Sequence, residues 1–104
     1  MLDHVFLPVS DMPRSIGFYE KALAPLGFTV RVDYDGANGP PGHPDLKGFG
    51  KDGRLFLWLR EARLAGDPFH LGFVASSREE VETAYRAAID AGAKDNGAPS
   101  VRAY

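Results

Sequence analysis

The stretch HVFLPVSDMPRSIGFYEKAL, residues 4–23, decides the fold, because the chain repeats its pattern as HLGFVASSREEVETAYRAAI, residues 70–89. At an offset of 66 positions His4 falls on His70, Val5 on Leu71, Ser10 on Ser76, Tyr19 on Tyr85 and Leu23 on Ile89. Each copy opens with a short apolar or β-branched run that predicts a strand, over His4 to Val9 and over Phe69 to Ala75. A capping signal follows in each. In the first it is Ser10-Asp11-Met12-Pro13, with proline in the first turn, where its missing amide has no helical partner to lose. In the second it is Ser76-Ser77-Arg78-Glu79-Glu80, two overlapping capping boxes that pair Ser76 with Glu79 and Ser77 with Glu80. Apolar stripes at helical spacing come next: Ile16, Tyr19 and Leu23, then Val81, Ala84, Tyr85, Ala88 and Ile89. Pro25 and Gly27 end the first helix and Gly92 ends the second. A matched histidine alone would carry little. A histidine, a capping serine and a helix-face tyrosine in one register mark a duplicated β-α-β unit.

Between the copies, Phe28 to Tyr34 predicts a second strand. Residues 36–50 are rich in glycine and proline and read as loop, interrupted by a short strand around Leu46 to Phe49. Lys51-Asp52-Gly53-Arg54 is a hairpin-type turn. Leu55 to Leu59 is apolar at every position, as a strand covered on both sides would be. Residues 61–68 form a polar connection, and from Asp95 to Tyr104 the chain reads as irregular, with Asp95-Asn96-Gly97 supplying turn chemistry.

Strand alternation gives the histidines a direction. His4, Phe6 and Pro8 share one face and Val5, Leu7 and Val9 the other; in the second copy His70, Gly72 and Val74 oppose Leu71, Phe73 and Ala75. The larger apolar set packs under its helix, which leaves each histidine on the face turned away from it. Two modules paired about a pseudo-twofold axis then aim both histidines into one cleft.

Composition narrows the function classes. At 104 residues the chain is one domain. A formal charge of −2 gives no basic face for nucleic acid or an anionic membrane. The absence of cysteine excludes disulfides and thiolate chemistry. No basic and apolar leader opens the sequence and no apolar run approaches the roughly 20 residues that span a bilayer. A cytoplasmic location is expected.

LDHVFLPVSDMPRSIGFYEKALAPLGF (residues 2–28) resembles the opening of vicinal oxygen chelate proteins, the glyoxalase/bleomycin resistance/dioxygenase superfamily, and FHLGFVASSREEVETAYRAAIDAGAKDNGAP (residues 69–99) resembles the start of their second module. The resemblance implies an α+β fold of two paired βαβββ modules: residues 1–61, a connection over 62–68, and 69–104. It implies metal ligands on the first and last strands of each module, with His4 and His70 at the two first-strand positions. The first module's last-strand position falls on Leu57, which cannot bind a metal. On that placement Leu55, Leu57 and Leu59 face the cleft while Phe56 and Trp58 pack beneath the helices. The second module's last-strand glutamate would lie beyond Tyr104. The first module runs 58 residues from His4 to Glu61 and the second only 35 from His70, so a truncated second module is expected.

Two histidines and a carboxylate suit a divalent metal such as Zn, Fe, Mn or Ni, with positions left open for a substrate bearing adjacent oxygens. Asp3 and Glu61 are substitute carboxylates, although strand order puts Asp3 opposite His4. The expectation is a metal-dependent enzyme, glyoxalase-like or dioxygenase-like, acting on a small molecule, with no protein base identified. The alternative is a metal-free binding protein of the bleomycin-resistance type, and a third reading is a structural or regulatory domain. A homodimer is expected, because clefts in this superfamily form by module pairing. Tyr19 and Tyr85 read as core, and His43 as a loop residue able to reach the cleft as acid or base.

Overall fold

The computed structural model describes residues 2–42, 45–63 and 70–101. His43, Phe69, part of the connection and the last three residues lie outside the described residues. The first module has the expected βαβββ order: β1 Val5–Val9, α1 Met12–Leu23, a 3-10 turn Ala24–Leu26, β2 Val30–Tyr34, β3 Leu46–Lys51 and β4 Arg54–Glu61. A second helix, α2, spans Arg78–Asp90. The sheet order is β1-β4-β3-β2, with β1 parallel to β4 and the other neighbours antiparallel.

Local chemistry explains the helix limits. The Asp11 side chain accepts from the Arg14 amide at 3.1 Å, and Ser77 accepts from the Glu80 amide at the same distance. The two capping residues are thus 66 apart, one position on from the Ser10/Ser76 pair that the repeat matches. Only the Ser77 half of the second box is seen, the Glu80 amide donating to the Ser77 hydroxyl, while the Glu80 carboxylate accepts from Ser76, which does not pair with Glu79. Glu61, at the end of β4, accepts from the Met12 amide at 3.4 Å and serves the same helix start from the sheet. Gly27, at φ 88°, closes the first helical segment, and Gly92, at φ 109°, closes the second.

Cross-strand pairing fixes the faces. Val5, Leu57 and Phe49 stand in one row and Leu7 and Leu59 in the next, all toward α1. They form the core with Val9, Met12, Leu23 and Leu26, and Phe49, Leu57 and Leu59 are its most deeply buried side chains. Tyr19 packs against this cluster and its burial raises the phenol's pKa. The same rows end in charge on β2, where Arg31 pairs with Glu20 of α1 and Asp33 with Lys47.

The opposite face carries the row Phe6–Trp58–Gly48–Val32 and has no helix of its own module over it. Phe6 and Trp58 stack with centroids 6.4 Å apart. Gly48 leaves room for the indole, since a Cβ there would sit 2.9 Å from the ring. This corrects the expected orientation of β4: Leu57 and Leu59 are core and Trp58 is on the uncovered face. The decisive influence is the parallel pairing of β1 with β4, which locks Leu57 to Val5. The alternation also changes phase at a bulge, where Gly50 opposes Leu55, Phe49 opposes Leu57, and Phe56 is the extra residue.

The predicted strand over Phe69 to Ala75 departs from expectation. Its described part, residues 70–75, joins no ladder. A strand needs a partner, and β1 has one only because β4 returns beside it; among the described residues no such hairpin follows α2. Leu71 and Ala75 nevertheless pack against the core, and α2 packs on α1.

Candidate functional site

β1 is an edge strand, and residues 71–74 lie near its start. Between them is a cavity of about 350 Å³, walled by Leu2 to Val5, Phe28, Lys51, Phe56, Leu57 and Leu71 to Val74. The beginnings of the two repeats therefore do meet at one concavity. Its walls are apolar apart from Asp3, His4 and Lys51, a composition suited to a small ligand held by a few polar contacts.

His4 belongs to both the cavity and the uncovered sheet face, where its ring meets Phe6 edge-on at 5.5 Å. Nδ1 of His4 bonds Asp3 Oδ2 at 2.7 Å, and Arg54 Nη2 donates to Asp3 Oδ1 at 2.8 Å. The His4 bond and then the Arg54 bond hold the Asp3 carboxyl below its ordinary pKa. An ionised carboxylate only accepts, so Nδ1 of His4 donates to Asp3, and in the neutral ring this tautomer leaves the lone pair on Nε2. Asp3 reaches His4 because both residues precede β1, where no ladder enforces opposite faces. This corrects the expectation that strand order separates them.

His70 opens the 70–75 segment, is exposed, and is not among the cavity walls, although its neighbour Leu71 is. Glu61 is excluded as a third ligand beside His4 by the register. It pairs with Val9, five residues along β1, which sets it roughly 16 Å up the sheet from His4. Leu57 is 1% exposed and faces the core. Among the described residues no group of three histidine, aspartate, glutamate or cysteine side chains is placed to hold a metal ion. Of the two described histidines, His4 has the build of a metal ligand, with one ring nitrogen oriented by a carboxylate and no described partner on the other. The described donor set does not complete a centre.

Arg54 and three of the cavity-wall residues escaped the sequence reading. Phe28 reads only as the start of a strand, and Lys51 only as a turn residue. Phe56 reads as packing beneath a helix, yet its ring stands 5.9 Å from Phe28 on the cavity wall. The signal for Lys51 was its place at the strand end beside the turn, where a long side chain can lie back over apolar surface. Asp95 also does more than make a turn. It accepts from the Gly97 amide at 2.9 Å, and the neighbouring Tyr85 hydroxyl, the larger influence, lowers its pKa.

Among the described residues no helix is long and apolar enough to cross a membrane. The family model described as the Glyoxalase/Bleomycin resistance protein/Dioxygenase superfamily matches residues 1–103. No curated protein matches the chain.

Proposed function

Because this chain belongs to the glyoxalase/bleomycin resistance protein/dioxygenase superfamily, we propose that it binds a small, largely apolar molecule in the cavity between the starts of its two repeats, with His4 as the polar group that engages it. The observation that carries this reading is the Arg54–Asp3–His4 chain of hydrogen bonds, which sets Asp3 and His4 on the wall of a largely apolar cavity. A histidine fixed in one tautomer, with Nε2 uncommitted, can accept a proton from the ligand, accept a hydrogen bond from it, or ligate a metal.

The metal-dependent form of the proposal assigns His4 and His70 as ligands to a divalent ion such as Zn, Fe, Mn or Ni. That ion would supply Lewis-acid chemistry to a substrate with adjacent oxygens. Metal analysis of the purified protein tests it. Stoichiometric metal that is lost in both His4→Ala and His70→Ala supports the enzyme reading, and metal retained by either variant removes that residue as a ligand. The apolar walls favour a second reading, metal-free sequestration of a hydrophobic molecule. In that case ligand binding survives chelation and depends on His4 but not on His70. A homodimer in the cytoplasm remains part of the proposal, with the oligomeric state to be read by light scattering.

A further inference from the structure

Lys51 gives the cavity a charge that nothing described there cancels. The lysine is half-buried at the end of β3, its Nζ donates to the Leu26 carbonyl at 3.2 Å, and it lies 5.6 Å from the centre of the Phe28 ring. One of its three protons is thus engaged by a neutral acceptor, and among the described residues the other two have no acceptor. The acid on the same wall, Asp3, is already paired with Arg54. Among the described residues no carboxylate stands within ion-pair distance of Lys51 Nζ. A half-buried ammonium against Phe28, in a cavity also walled by Phe56 and Leu71, is poorly screened and gains most from an anion placed beside it.

We propose that the cavity selects an apolar molecule bearing one anionic oxygen group, a carboxylate or enolate, and that Lys51 is the residue that sets this preference. The inference rests on the cavity reading above and adds the ligand's charge to it. In this arrangement the apolar body of the ligand lies among Phe28, Phe56, Leu71 and Phe73, and its anionic end meets Lys51. His4 serves as a second polar contact.

The test uses trans-cinnamate and its neutral analogue cinnamamide as probes, followed by amide NMR shifts of the wild-type protein, Lys51→Met and Lys51→Arg. The expected result is perturbation at Val5, Phe28, Leu71 and Phe73, with cinnamate bound at least about tenfold more tightly than cinnamamide. Lys51→Met should abolish that preference and Lys51→Arg should keep it; retained spectral dispersion shows that each variant is folded. Equal affinity for both probes, or a preference that survives in Lys51→Met, overturns the charge assignment and leaves the cavity reading standing. Absence of any perturbation by either probe at millimolar concentration overturns both.

Discussion

The Asp3 carboxylate bonds Nδ1 of the adjacent His4 at 2.7 Å while Arg54, from the far end of a hairpin, holds its other oxygen at 2.8 Å. The three residues make a short polar relay on an apolar wall. It predicts that the neutral form of His4 carries its proton on Nδ1. Imidazole nitrogen shifts will report that tautomer. Asp3→Ala should return His4 to the mixture found in free histidine, and Arg54→Ala should do so partly. If a metal is bound, Asp3→Ala should also weaken it by about 10- to 100-fold, the usual effect of removing a carboxylate behind a ligating histidine.

Leu59 and Trp58 are neighbours in sequence with opposite duties. Leu59 is fully buried in the core, so Leu59→Ala should cost about 2–5 kcal/mol, measured by urea unfolding. Trp58 lies on the uncovered face, and Trp58→Ala should cost less while removing the Phe6 stack. Equal losses would contradict the assignment of faces.

Gly50 sits where the bulge brings β4 close, and a Cβ there would lie 1.8 Å from the Arg54 carbonyl oxygen. Gly50→Ala should therefore cost about 1–3 kcal/mol or more, because backbone must move. At Gly48 the obstacle is the Trp58 side chain instead. Gly48→Ala should shift the fluorescence of this tryptophan, the single one in the chain, toward the red as the ring is pushed outward.

Tyr85 and Asp95 predict a pH dependence. The Tyr85 hydroxyl, and after it the Gly97 amide, hold Asp95 below its ordinary value of 3.8. A carboxyl depressed on folding stabilises above its unfolded pKa, and that contribution is lost as pH falls through the folded value. The difference in Tm between wild type and Asp95→Ala should be present at neutral pH and close below about pH 3.8. Tyr85 itself, raised above 10.0 by the same bond, should titrate closer to that value in the variant.

The first module was legible because its signals are local. Caps, helix stripes, the Asp52-Gly53 turn with both residues at positive φ, and the 66-residue repeat all act over a few neighbours or by self-comparison. The direction of β4 was not, since LFLWL is apolar on both faces and a bulge within the strand breaks the count. Only pairing with β1 decides which residues go inward. For the site, His4 was legible as a repeated residue on a first strand. Its partners were not: Arg54 is 51 residues from Asp3, and sequence carries no trace of a side chain crossing from a hairpin to the start of the chain.

The bulge at Phe56 takes one residue of β4 out of the alternation. Phe56 walls the cavity, while its neighbour Leu57, which borders the cavity from beneath, and Leu59 are sealed within the core. Changes at Phe56 can therefore reshape what the cavity accepts with less effect on the core than changes at Leu57. One strand serves as both a variable wall and a fixed foundation, with the extra residue as the joint between them.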